Sequence, residues 1–380
     1  MSEHYKGVSM KKLATLATAA ALLATVSVAK EVKVGVVMAM SGPLAAYGQT
    51  VNAGIELAHE LHPKLKNGDD VKLVLVDNKG DKVETSTATT RLISSDKVVG
   101  ILGALTSSNT AAVIAVAEKK KIPVIASVAT NDKLTTKRKF ENRVCFMDSF
   151  QGEVIANYAL SLGYKSAVVI SDQAQVYSLG LSKAFKKAFS KNGGKILKNI
   201  KITSGDKDFK AVVSQVKTAN PDFLFLPLYH PEASLIARQA KAIGLNKPMF
   251  SGDGVANQTM IDLGGDAIEG YMFTDFFDYS APPTQASKDF LNAFEKKTGT
   301  REMNSFTALG ADSYNILINA MNKCSDPTDS ICINKEIKST KDFEGVSGMI
   351  TIDASGNASR SAVIKEFKSG KMVYKTTVNP

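Results

Sequence analysis

Short apolar runs rich in β-branched residues alternate along this chain with longer segments whose apolar positions recur at helical spacing. Residues 32–40, 71–77, 98–105, 122–128 and 143–147 read as a first series of strands, and 166–171, 195–202, 223–229, 248–252 and 271–277 as a second. Between them the spacing predicts helices over 48–61, 83–94, 111–121, 152–162, 180–192, 209–219 and 232–243. Two later segments, 284–298 and 305–322, also read as helices, and the end of the chain reads as short strands over 348–353, 361–367 and 372–377. Nearly all-apolar strands alternating with helices predict an α/β fold with parallel sheets covered on both faces. The polar break Phe146-Met147-Asp148-Ser149-Phe150-Gln151-Gly152 separates the two series, each about the size of one doubly wound domain. Ligands of such sheets bind beyond the carboxyl ends of the strands, so a cleft between two lobes is the expected site.

One of those strand ends carries a concentration of polar groups. In Gly103-Ala104-Leu105-Thr106-Ser107-Ser108-Asn109-Thr110, hydroxyls and an amide sit where an apolar strand hands over to a helix. Unpaired backbone N–H groups and the positive end of the helix dipole point into such a turn, which favours an anion. The glycine spacing and lysine of a phosphate loop are absent, so a small-molecule carboxylate is the expected ligand group. The other strand ends add Tyr47 after the first strand, Val128-Ala129-Thr130 after the fourth, Tyr177 and Tyr229 in the second series, and Asp253. Together these suit an amino acid: hydroxyls for the carboxylate, an acid for the ammonium, tyrosines for an apolar side chain.

Composition narrows the class. With 380 residues, 44% apolar and 22% charged, the chain has material for two packed domains. Residues 1–29 read as a secretory signal peptide: Lys11-Lys12, an apolar stretch over 13–28, then Ser27-Val28-Ala29. That stretch is shorter than the ~20 residues a membrane-spanning helix needs. Removing three Lys and one Glu with it lowers the net charge from +10 to about +8. The remaining lysines are scattered, as in a solvated surface rather than a nucleic-acid-binding patch. Cys324 and Cys332 flank a polar segment and are placed to close a short loop by a disulfide in an oxidising compartment, whereas Cys145 lies in an apolar run. His59, His62 and His230 form no ligand set for a metal, and no nucleophile elbow is present. Gly252-Asp253-Gly254 begins like a dinucleotide fingerprint but lacks its third glycine. Neither an enzyme nor a cofactor is expected.

The segments Ala39-Met40-Ser41-Gly42-Pro43, Ala46-Tyr47-Gly48, Tyr229-His230-Pro231-Glu232 and Gly254-Val255-Ala256-Asn257 stand in an order and spacing that resembles the periplasmic leucine/isoleucine/valine-binding family. These are the substrate-binding components of branched-chain amino-acid ABC transporters, and the similarity runs from about Val32 to Asp353. The resemblance implies two doubly wound parallel-sheet lobes joined by three crossovers and closing over ligand. The lobes would be 30–147 with 276–347, and 148–275 with 348–380. It assigns the ligand carboxylate to Ser107 and to main-chain groups of Val128 and Thr130. It assigns the ammonium to Asp253 and Thr130 Oγ1, and the side-chain pocket to Tyr47, Leu105, Thr106, Ala129, Tyr177 and Tyr229. It further implies a periplasmic monomer that delivers an aliphatic L-amino acid to a membrane permease and binds no nucleic acid. Three positions depart from the family: Asp253 stands where Glu is usual, Thr106 replaces a more apolar residue, and Tyr177 lies in a looser turn. These leave open a different ligand on the same scaffold, such as an amide or a polar or aromatic amino acid.

Overall fold

The computed structural model describes residues 1–2 and 29–380, so the expected signal peptide lies almost entirely outside the described residues. The first sheet contains β1 (Glu31–Met38), β2 (Asp70–Asp77), β3 (Ile101–Gly103), β4 (Val124–Ala126) and β5 (Glu141–Arg143). All five strands are parallel, in the order β2-β1-β3-β4-β5. The second sheet is built from β6 (Ser166–Asp172), β7 (Lys195–Ile202), β8 (Phe223–Phe225), β9 (Met249–Ser251) and β10 (Met272–Asp275). Later come β11 (Phe343–Gly345), β12 (Gly348–Ile352), β13 (Ala358–Ser359), β14 (Ala362–Lys368) and β15 (Lys371–Val378). The last two join the second sheet as an antiparallel hairpin beside β10, giving the order β15-β14-β10-β9-β8-β6-β7. Val34, Val36, Val37 and Met38 of β1 are fully buried, as a central strand covered on both faces requires.

The helices are α1 (Ala45–Leu61), α2 (Lys82–Arg91), α3 (Ser107–Lys120), α4 (Asp148–Ser161), α5 (Val176–Lys191), α6 (Lys210–Ala219), α7 (His230–Ala242), α8 (Gln258–Gly264), α9 (Gln285–Thr298), α10 (Ser305–Met321) and α11 (Ser330–Lys338). α10 returns from the second sheet to lie against α1 of the first. A Cβ on Gly54 would overlap the Thr307 carbonyl and one on Gly310 the Val51 carbonyl, so the two glycines permit the approach. Thr307 Oγ1 donates to Thr50 O at 3.1 Å and Tyr314 Oη to His62 O at 2.7 Å.

The chain passes between the sheets three times: after β5, after β10 and before β14. The buried guanidinium of Arg360 holds all three passages together. It donates to Val144 O (3.2 Å) on the first, Phe276 O (2.8 Å) on the second, and Ser347 O (2.9 Å) beside the third. Asp312 of α10 accepts from the backbone N–H of Val346 and Ser347 at 2.5 and 2.9 Å. Lys365 is buried between Asp275 and Asp278, at 2.9 and 3.1 Å.

Several expected boundaries move, each for a physical reason. The strand expected over 143–147 lies upstream, in the polar residues Glu141–Arg143. Arg143 is tolerated there because its guanidinium donates to Ala129 O and Asn131 O. The helix expected from Ala111 begins at Ser107, because Thr106 Oγ1 caps it by accepting from Asn109 N–H at 3.2 Å. The lobe boundary expected at 347/348 cuts the β11–β12 hairpin. That hairpin and its loop stay with the first sheet, where Arg143 N–H donates to Gly356 O and Thr135 Oγ1 to Asn357 Oδ1. Cys324 and Cys332 are disulfide-bonded, tying the end of α10 to α11, and Cys145 is a buried free thiol. His59 Nε2 is hydrogen-bonded to Val71 O. Among the described residues no group of three metal-ligating side chains gathers, and no helix is long and apolar enough to cross a membrane.

Candidate ligand-binding cleft

The carboxyl ends of the two sheets face each other. From the first sheet come the first turn of α1, carrying Tyr47, the loop into α3, carrying Leu105 and Thr106, and the loop after β4, carrying Val128. From the second come the starts of α5 and α7, with Tyr177 and Tyr229, and the 3-10 turn Asp253–Val255 after β9. They converge on a cavity lined by Tyr47, Leu105, Thr106, Ser107, Val128, Tyr177, Tyr229 and Asp253, together with Gly254 and Phe306.

Aromatic rings form most of the wall. Tyr177 stacks on Tyr229 with centroids 5.1 Å apart, and Tyr47 stands edge-on to Tyr229 at 6.0 Å and stacks on Phe306 at 5.7 Å. The hydroxyls of two of these tyrosines are engaged by backbone. Tyr47 Oη donates to Gly254 O and accepts from His230 N–H at 3.0 Å, and Tyr177 Oη accepts from Gly254 N–H at 3.1 Å. Burial raises the pKa of both phenols and lowers that of His230 to about 4, so all three are neutral near pH 7. Thr106 spends an acceptor position on the α3 cap. The side-chain end of the cavity is therefore more apolar than its residue names suggest.

The polar groups sit on opposite walls. On one, Ser107 opens α3; Thr106 satisfies Asn109 N–H, and the N–H groups of the first two helical residues have no partner within the helix. Ser107 Oγ accepts from Asn131 N–H at 3.3 Å. On the other wall stands Asp253, 4% exposed, with Oδ1 buried and unpartnered. Gln151 Oε1 fixes its backbone by accepting from Asp253 N–H and from Thr274 Oγ1, each at 2.7 Å. Loss of hydration pushes the Asp253 carboxyl up to about 7, against an ordinary value of 3.8. A second buried carboxylate, Asp148, is raised by the same burial. Asp148 lies behind the cavity wall, where Asn131 Nδ2 donates to its Oδ2, so Asp253 is the acid that borders the cavity.

The match to known proteins covers almost all of the described chain. The family model described as periplasmic binding protein matches residues 31–371. The chain belongs to the periplasmic binding protein family. The Leu/Ile/Val-binding protein of Escherichia coli (strain K12) is 30% identical over 358 residues, covering 92% of this chain and 94% of the relative. Leu/Ile/Val-binding protein homolog 3 of Brucella melitensis biotype 1 is 29% identical, covering 96% and 99%. Among solved structures, the leucine-binding protein LivK of Thermotoga maritima superposes with a TM-score of 0.90 at 37% identity, covering 92% of this chain and 99% of that one. The branched-chain amino-acid transporter substrate-binding protein LivJ of Streptococcus pneumoniae, in complex with isoleucine, has a TM-score of 0.86 at 32% identity, covering 92% and 100%.

Within this periplasmic binding protein, most of the residues expected at the site come together, and two stand behind the wall. Ala129 is buried, and its carbonyl accepts from Arg143 and from Cys145 Sγ. The Thr130 carbonyl accepts from Asp148 N–H, while Thr130 Oγ1 is buried without a hydrogen-bond partner. Neither borders the cavity. Phe306 and Gly254 do border it and were absent from the sequence expectation, as was Gln151 beneath Asp253. Phe306 reaches the cleft from a helix far along the chain. Gly254 was legible only as part of a turn.

Proposed function

We propose that this protein captures an aliphatic L-amino acid of the leucine/isoleucine/valine class between its lobes and hands it to a membrane ABC permease. The observation that carries this reading is the unpartnered Asp253 carboxylate, facing the start of α3 across a cavity walled by aromatic and aliphatic side chains. In this reading the ligand carboxylate takes the N–H and Oγ of Ser107, and the ammonium takes Asp253, with Thr130 Oγ1, expected beside it, standing behind the cavity wall. Asp is one methylene shorter than Glu, and Gln151 compensates by anchoring the Asp253 backbone close to the cavity. Tyr47, Leu105, Val128, Tyr177, Tyr229 and Phe306 surround the side chain. The role is binding and delivery without turnover, in the periplasm, after removal of residues 1–29. The lobes are best drawn as 30–147 with 276–359, and 148–275 with 360–380, a division supported by the path of the β11–β12 hairpin.

Only the closed form presents both walls to one ligand, so binding shifts the open–closed equilibrium toward closure. A thermal-shift panel of the twenty amino acids tests the reading. Leu, Ile or Val at 100-fold above Kd should stabilise the protein by about 2.7 kcal/mol. No shift with any of the three would overturn it.

A further inference from the structure

Helices α5 and α7 of the second lobe begin inside the closed cleft without a cap from their own N-cap side chains. A buried helix start needs partners for its free N–H groups. Here the partners come from the opposite lobe. Tyr47 Oη accepts from His230 N–H, the first of α7, at 3.0 Å. Ser108 Oγ accepts from Val176 N–H, the first of α5, at 3.2 Å, and donates to Gln175 Oε1 at 3.1 Å. The neighbouring Asn131 Nδ2 donates to Val176 O at 3.0 Å. Gln175 Nε2 in turn donates to Ser204 Oγ at 3.0 Å, so the contact is braced from within the second lobe. Tyr47 borders the cavity, but Ser108 does not.

We infer that Ser108 is a positioning residue for ligand capture: its hydroxyl caps α5 across the cleft and sets how readily the lobes close, without touching the ligand. The inference rests on the proposed reading of an amino acid captured by closure. When the lobes part, Val176 N–H turns to water and the Ser108 hydroxyl loses an acceptor and a donor role together. Losing the cap therefore weakens the closed form alone.

The test is a double-mutant cycle on leucine binding, using Ser108→Ala and Val176→Pro. Proline suits the first position of a helix and removes the capped N–H. Gln175, at φ −107° and ψ 124°, has the extended backbone that a residue preceding proline requires. Ser108→Ala should raise the leucine Kd roughly 2- to 30-fold, the range that corresponds to a lost cap. The loss should appear mainly in the off-rate and by the same factor for Leu, Ile and Val. The melting temperature of the ligand-free protein should stay unchanged. Val176→Pro should weaken binding similarly, and adding Ser108→Ala to it should cost little more. Wild type that binds none of the three amino acids strikes the proposed function. Wild type that binds leucine while Ser108→Ala binds it equally well overturns the inference alone. So do a loss that depends on the ligand side chain, a loss matched by a fall in ligand-free melting temperature, and two single losses that simply multiply in the double mutant.

Discussion

The two walls of the cleft solve the same problem differently. On the first, α3 starts with its own cap, Thr106, and Ser107 Oγ is held against the loop after β4. On the second, α5 and α7 borrow their caps from the first lobe, and Asp253 keeps an unpartnered buried oxygen even when the lobes are together. The first wall caps its own helix and keeps free N–H groups at its start; the second is capped only by closure and keeps an unpartnered acid oxygen. That asymmetry locates the coupling between binding and closure. In the proposed reading a ligand ammonium pairs the acid that the closed cleft leaves unpartnered, while the borrowed caps favour closure.

Substitution of Asp253 should break the asymmetry most strongly. Asp253→Asn removes the charge with little change of shape, and an ammonium left unpaired beside it should cost roughly 3–5 kcal/mol of leucine affinity, read by calorimetry. Acid should imitate that substitution reversibly. The carboxyl is held up to about 7 in the empty closed cleft and is ionised when paired with a cation, so binding releases a proton below that pH. Leucine affinity should therefore fall with decreasing pH, by up to about tenfold per unit below pH 7, and level off above pH 8. The sign is opposite for the empty protein. The raised carboxyl favours its closed form in acid, and that contribution is lost as pH rises through about 7. The thermal gain from leucine should then be larger at pH 8 than at pH 5.5.

A smaller effect is expected on the borrowed-cap side. Tyr47→Phe keeps the ring against Tyr229 and Phe306 but leaves His230 N–H uncapped, and should raise the leucine Kd by roughly 2- to 30-fold. Outside the comparison altogether, Cys332→Ser opens a loop joining α10 to α11. It should lower global stability by roughly 2–3 kcal/mol in chemical denaturation while leaving leucine affinity unchanged.

The doubly wound architecture was legible because strand and helix periodicities alternate cleanly; β7 matches its expected span, Lys195–Ile202, residue for residue. Where side-chain chemistry overrode periodicity, the reading slipped. Ser107 to Thr110 looks like turn material but forms the first turn of a capped helix. Glu141–Arg143 looks too polar for a buried strand, yet the Arg143 guanidinium finds backbone carbonyls. The site was legible wherever a strand end delivers a residue directly, as with Tyr47, Ser107 and Asp253. It was illegible where distant packing does so. Phe306 reaches the cavity only because Gly54 and Gly310 let α10 lie against α1, and the cap that Ser108 gives Val176 joins residues 68 positions apart.

The most direct test of the central claim compares leucine with 4-methylpentanoate, the same molecule without its ammonium, in wild type and Asp253→Asn at pH 8 by calorimetry. A carboxylate that exists to pair the ammonium predicts a preference for leucine above 100-fold in wild type, reduced to less than about tenfold in Asp253→Asn, as the loss of one buried charge partner requires. An equal preference for leucine in both proteins would contradict the account.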